Sequence, residues 1–372
     1  MFFQSLNIIF NSEERKKFFQ KNESKFEDEN FGHESGTKNN MFFSKSEELN
    51  NKYLLKKGFS INDIFFERLS DLYPDYDLFE KEINCNQFKQ TYLGDCYFID
   101  CLSLISNYSQ LITQLFRFDK KRKDGYYEIY LFVNGEWQII ILDDYIPVIK
   151  INNKKVPYGV TPAENCKCYY FCLLEKAWAK INGSYIDIIG GWGSQTFECL
   201  TGFKTQIFNH SEDNLTNFFY KINKSIHTYN HLISTVGNNT KIKEYVGQKL
   251  WNNNDSLHAY SIHDAFQIKD KITNIKLNVL KCRNPWGTNI GNKKTILPNN
   301  FKNDEIEDFK KEEDNGFFII DMKNYFQLFT HTEFCYTKFG HHVQTYRFYN
   351  FYDNNENEKK IKTSGNFFLD LN

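Results

Sequence analysis

The chain has 372 residues, 41% hydrophobic and 17% aromatic, with its apolar bulk carried by 37 Phe and 23 Tyr; that predicts a sizeable core and more than one compact unit. Its 46 Lys+Arg against 47 Asp+Glu leave a formal charge of −1, which excludes a nucleic-acid binder working by broad phosphate neutralisation. No apolar run approaches the ~20 residues of a membrane span, and nine scattered cysteines predict a reduced, cytoplasmic or otherwise intracellular chain rather than a disulfide framework.

The opening run, residues 1–10, is apolar but lacks a basic flank and leads into Asn11-Ser12-Glu13-Glu14-Arg15. It does not read as a signal peptide. Residues 1–64 predict a polar, flexible leader with room for one short helix, and order beginning near Phe65 to Tyr73. From Cys96 to Tyr108, Phe98, Cys101, Leu102 and Ile105 fall at helical spacing. Lys120-Lys121-Arg122-Lys123 reads as a solvated turn. Tyr126 to Phe132, then Asn134-Gly135, then Trp137 to Leu142 predict a hairpin closed by a tight turn. Cys168 to Asn182 predicts a helix stopped by Gly183. Gly190-Gly191 marks a hinge. Beyond it, Ala259–Ile268, Asn274–Arg283, Gly316–Asp321 and Glu333–Thr337 read as strands, and Asp304–Lys311 as a short acidic helix. A tail, 341–372, holds one strand-like run, Val343–Phe348.

Several segments carry chemistry. In Gln90-Thr91-Tyr92-Leu93-Gly94-Asp95-Cys96-Tyr97, the cysteine opens a helix. The positive end of the helix dipole there predicts a lowered thiol pKa and a reactive thiolate. Gln90, just upstream, is placed to offer its amide to an oxyanion. In Leu257-His258-Ala259-Tyr260-Ser261, His258 is a base suited to neutral pH. In Cys282-Arg283-Asn284-Pro285-Trp286-Gly287, Asn284 would fix the imidazole and Trp286 would shield that contact from water. A Cys, a His and an orienting third residue follow the logic of a nucleophilic triad. Leu173 to Tyr185 reads as an amphipathic helix with a glycine stop. Cys166, Cys168 and Cys172 offer thiolates to zinc but lack a complete four-ligand set with His.

Taken in order, Gln90 to Tyr97, Leu174-Glu175-Lys176-Ala177 ending in Asn182-Gly183, His258-Ala259-Tyr260-Ser261 and Arg283-Asn284-Pro285-Trp286-Gly287 closely resemble the protease core of the calpain family. Leu142-Asp143-Asp144-Tyr145-Ile146-Pro147 and Gly316-Phe317-Phe318-Ile319 with Tyr325-Phe326 add to the resemblance, which covers roughly residues 70–340. It implies an α+β, papain-like, two-lobed cysteine protease core. The expected first lobe, 65–190, is helix-rich and holds Cys96. The expected second lobe, 191–340, is β-rich and holds His258 and Asn284. It implies limited cleavage of intracellular protein substrates, with Cys96, His258 and Asn284 as the triad and Gln90 as oxyanion donor. It also implies calcium dependence, and Glu175 matches an acidic residue linked to the first-lobe ion.

The sequence departs from the family pattern at several positions. Tyr97 replaces Trp after the nucleophile, and Leu257 replaces Gly before the histidine. Gln87 stands where an acidic ligand is usual. Thr288-Asn289-Ile290-Gly291-Asn292-Lys293-Lys294 replaces an acid-bearing loop, and Phe317 stands at another acidic position. Calcium needs several hard oxygen ligands, so these residues support it only weakly. Asp304, Glu305, Glu307 and Asp308 read as an exposed acidic face. After about residue 341 no EF-hand pattern occurs, and the tail has room for only the start of a β-sandwich. The competing reading is a calpain-like binding or scaffold protein that does not cut. A transglutaminase-like enzyme fits less well, because its triad ends in Asp where this chain has Asn284.

Overall fold

Buried aromatics decide where this chain turns inward. The computed structural model describes residues 25–33, 40–210, 215–246, 257–289, 293–298, 301–311, 315–337, 345–346 and 367–368. Helix α1 (Glu47–Lys57) is capped by the Ser46 side chain on the Leu49 N–H and ends at Gly58, φ 79°, a left-handed stop that suits a residue without Cβ. Strand β1 (Phe65–Arg68), helix α2 (Cys96–Ile105), the hairpin β2 (Tyr127–Val133) and β3 (Glu136–Leu142), strands β4 (Tyr145–Ile151) and β5 (Lys154–Pro157), and helices α3 (Tyr170–Asn182) and α4 (Gly193–Thr201) follow. The hairpin turn holds Asn134 and Gly135 at φ 54° and 83°, as a two-residue turn of its hand requires.

These elements close around one apolar cluster whose axis is α2, buried from Tyr97 to Ile105. The first unit therefore carries strands as well as helices. Helix α4 adds Phe197, Cys199 and Leu200 to the same cluster, so the first core continues past the glycine hinge that the sequence suggested.

The second unit is a seven-stranded sheet. Its elements are β6 (Thr205–Asn209), α5 (Leu215–His227), β7 (Leu232–Asn238), α6 (Asn239–Val246), β8 (Leu257–Lys269), β9 (Lys276–Arg283), β10 (Thr295–Ile296), α7 (Asp304–Lys311), β11 (Phe317–Asp321), α8 (Met322–Leu328) and β12 (Phe329–Cys335). The strand order is β10-β11-β9-β8-β7-β12-β6, antiparallel except for β10 beside β11. Phe219 and Ile222 of α5 pack on the sheet with Tyr260, Leu280 and Phe318. Ile306 and Phe309 of α7 join Ile268, Val279 and Ile319 in a separate cluster. The fold is α+β.

The leader differs from its expected flexibility. Residues 1–24 and 34–39 lie outside the described residues, but the remainder is packed. Met41 and Phe42 are fully buried and Leu54 nearly so. The carbonyls of Met41 and Phe42 accept from the Tyr185 and Ile186 N–H groups at 2.9 and 3.0 Å. Lys180 Nζ donates to Asp28 Oδ2 at 2.7 Å. A polar average hid a few apolar anchors, each seated in a pocket the rest of the chain builds. Of the tail, Thr345–Tyr346 pairs with Phe367–Phe368; most of the run Val343–Phe348 lies outside the described residues.

Phe42→Ala should cost about 3–5 kcal/mol of stability by urea unfolding. A loss below about 1 kcal/mol would show that the leader is not part of the core.

Candidate active site

Gln90 and Cys96 reach the site from the first unit. Thr91 Oγ donates to the Tyr158 carbonyl at 2.8 Å, and the Gln90 N–H donates to the Pro285 carbonyl across the cleft at 2.9 Å. Gln90 Nε2 donates to the Leu93 carbonyl at 2.7 Å, with Asp95 Oδ1 at 3.5 Å. Cys96 is the first residue of α2, partly exposed. Tyr97, in place of the family's Trp, hydrogen-bonds the Ile188 carbonyl and receives Trp178 Nε1. A Cβ at Gly191 would come within 2.5 Å of its ring, so this aromatic depends on that glycine.

His258 and Asn284 come from adjacent strands of the sheet. His258 is in β8, and Asn284 leaves β9 directly after Arg283. The Asn284 N–H donates to the Gly316 carbonyl and its own carbonyl accepts from Gly287, at 2.9 and 3.0 Å. Gly316 sits at φ 86°, and a Cβ there would approach the Asn284 carbonyl to 2.7 Å, so only glycine fits this crossing. Asn284 Nδ2 donates to the Thr288 carbonyl at 2.9 Å, which orients Oδ1 toward His258 Nε2 at 3.0 Å. That bond places the proton of neutral imidazole on Nε2 and leaves Nδ1 as the basic nitrogen. The Trp286 ring covers His258 at 4.2 Å between centroids, 31° from parallel.

Cys96, Gln90, His258 and Trp286 line one cleft of about 240 Å³. Leu257, 49% exposed, also lines it. Lys57 and Asn239 line it too and were not anticipated. Lys57 ends α1, in a segment read as leader, and no local pattern announces its approach. Asn239 follows a strand end that is defined only by its pairing with β8.

A buried polar seam joins the two units beneath the cleft. Asp100 accepts from Ser234 and Ser261. Arg283, 2% exposed, donates to Ser103 Oγ at 3.4 Å and to the Phe88 carbonyl at 3.1 Å. His263 meets Ser261 Oγ at 2.9 Å and Asn107 Nδ2 at 3.2 Å. Glu333 accepts from the Ser194 N–H and lies beside His331.

Electrostatics around the sulfur differ from the sequence expectation. Burial pushes the Cys96 thiol up to about 12, and the Asp95 and Asp100 carboxylates push the same way; the Ala259 and Tyr97 backbones oppose them. Desolvation and two neighbouring acids outweigh the half-charge of the helix end. These effects favour the thiol over the thiolate. Asp95 is itself buried and paired with Glu175. Burial pushes Asp95 up to about 7, against the opposing hydrogen bond from Glu175. Burial, then the Asp95 charge, raise Glu175 well above the usual carboxylate range.

The donor sets do not fit calcium. Glu175 is 3% exposed; its Oε1 accepts from the Val160 N–H at 2.6 Å, and a Cβ at Gly159 would strike its carboxylate. Gln87, at the usual acidic position, donates to Glu80 and to the Glu82 carbonyl. In the second unit, Phe317 packs edge-on against His263 and under Lys281. The neighbouring cleft is lined by Lys293, Lys294 and Lys310. Gln87 and Phe317 in place of acids, together with a lysine-lined cleft in the second unit, remove charge and hard oxygen ligands that calcium takes.

A folded carboxyl raised above its ordinary 3.8 holds a proton that the unfolded chain has released. Stability is therefore full below about pH 4 and lost as pH rises through about 7, by up to about 1.4 kcal/mol per unit. Asp95→Asn should flatten that loss between pH 5 and pH 7 in urea unfolding. An unchanged slope would contradict the buried pair.

The family described as calpain family cysteine protease matches residues 26–336. Similar curated proteins include the rat calpain-1 catalytic subunit, 26% identical over 65% of this chain and 34% of its own length. Caenorhabditis elegans calpain clp-4 is 26% identical over 66% of this chain and 34% of its own length. A Schistosoma mansoni calpain is 25% identical over 73% of this chain and 36% of its own length. The chain thus spans about a third of the length of these relatives. With the family match extending over most of its residues, this chain belongs to the calpain family of cysteine proteases.

Proposed function

We propose that the chain is a cysteine endopeptidase that makes limited cuts in intracellular proteins, with Cys96, His258 and Asn284 as its triad. The observation that carries this is the His258 Nε2 bond to Asn284 Oδ1 under Trp286, in the same cleft as Cys96 and Gln90. Among the described residues no helix is long and apolar enough to cross a membrane.

The chemistry follows from the proton positions. With Nε2–H held by Asn284, Nδ1 of His258 takes the Cys96 proton as the sulfur attacks the peptide carbonyl. With burial favouring the thiol, proton transfer accompanies attack rather than preceding it. The Cys96 backbone N–H and the second N–H of Gln90 Nε2 then hold the oxyanion. Collapse expels the amine, which leaves with the proton from His258. Water, losing its proton to His258, attacks the thioester and releases the new carboxylate, and the thiol is regenerated. The side chain of Leu257 narrows the entrance and selects among substrates.

The test is casein digestion by the purified chain, in calcium and in chelator. Cleavage should occur, Cys96→Ala should lower it by at least about 10³-fold, and Gln90→Ala should lower kcat by about 10²–10³. Activity in Cys96→Ala would overturn the triad. A wild-type chain that never cuts would favour the binding or scaffold reading. Because the donors do not fit calcium, digestion should proceed equally with chelator; strict dependence on calcium would overturn that part.

A further inference from the structure

We propose that Cys166, Cys168 and Glu80 form a site for one thiophilic divalent cation of the zinc class, on the first unit and apart from the Cys96 cleft. One ligand atom from each lies within 4.8 Å of the other two, and the two sulfurs are 3.4 Å apart. Cys172, grouped with them by sequence, instead donates to the Val160 carbonyl from within α3. Glu80 takes its place from the turn ahead of Gln87.

The surroundings are built around these three atoms. The Lys167 N–H donates to Glu80 Oε1 at 2.6 Å, and Gln87 Nε2 donates to Glu80 Oε2 at 2.6 Å. The Cys168 N–H donates to Cys166 Sγ at 3.4 Å. Such N–H groups orient ligands and support charge on them. The loop itself is fixed by the Asp77 N–H on the Lys167 carbonyl and the Tyr170 N–H on the Leu78 carbonyl, at 2.9 and 3.2 Å. Each carboxylate oxygen of Glu80 retains acceptor capacity beyond these bonds.

Two sulfurs and one oxygen select zinc over calcium or magnesium, which prefer oxygen alone. Three protein ligands leave a fourth position for water. The two cysteines are 2% and 0% exposed, where unpaired thiolate charge is costly and a divalent ion offsets it. As the two metal–sulfur bonds form, the two thiol protons pass to solvent with no change of oxidation state, so affinity falls in acid. The ion would tie the 77–80 turn to the 166–168 loop. That loop adjoins the Phe88–Pro162 and Lys89–Thr161 pairs, immediately before Gln90. The site stands independently of the peptidase reading.

Cobalt titration of the reduced full chain tests this, in the Cys96→Ala background so that the cleft thiol cannot hold the ion. The expected result is one equivalent of cobalt with a thiolate-to-metal absorption band, displaced by zinc. The band should be lost in the added Cys166→Ser/Cys168→Ser variant. Glu80→Gln keeps both thiols and should bind at least about tenfold more weakly, which preserves the test if the serine variant does not fold. No band, a band surviving the serine substitutions, or unchanged affinity in Glu80→Gln would overturn the site. So would a Cys166–Cys168 disulfide that excludes the ion.

Discussion

The seam under α2 is the constraint on which the rest of the site depends. Asp100 and Ser103 project from the helix that Cys96 opens, and they meet Ser234, Ser261 and Arg283 of the sheet. Ser261 pairs with Arg283 in the β8–β9 ladder. His258 lies three residues before that pair and Asn284 lies just after it. Arg283 also holds the Phe88 carbonyl, close ahead of Gln90, whose own N–H reaches Pro285. One buried network thus sets Cys96, His258, Asn284 and Gln90 relative to one another. Buried polar groups of this kind add little net stability, but breaking one side is costly. Their effect is therefore on register: the two units meet in one alignment or lose several hydrogen bonds together.

The same burial explains the chemistry at the sulfur. A thiol flanked by Asp95 and Asp100 in a desolvated setting does not ionise by itself. In the proposed mechanism the imidazole takes its proton at the moment of attack, so that reaction would depend on alignment of the two units rather than on the helix end. Burial raises Asp95 and Glu175 together, so the pair holds a proton beside Cys96. This gives Glu175 a place beneath the cleft without calcium.

Much of this was legible in the sequence because it was written locally. The hairpin around Asn134-Gly135, the helix ended by Gly183 and the strands flanking His258 and Asn284 follow from periodicity and turn residues. The segments containing Cys96, His258 and Asn284 were likewise recognisable in order. The packed part of the leader was not legible, because Met41, Phe42 and Leu54 sit in short apolar runs inside a polar stretch, and their pockets come from distant segments. Nor was the raised thiol: the helix-end argument weighs a local dipole, whereas the larger effect, desolvation, comes from tertiary packing. Glu80 escaped for the same reason, since only the fold brings it beside Cys166 and Cys168.

The central claim is that a cysteine from one unit and a histidine from the other act as a pair. The most direct measurement is the rate of iodoacetamide alkylation at each of the nine cysteines, mapped by mass spectrometry at neutral pH in the wild type and in His258→Ala. The account predicts that Cys96 reacts first and that His258→Ala slows it by about a hundredfold, with the other cysteines unchanged. Alkylation of Cys96 at the same rate without the imidazole would contradict it.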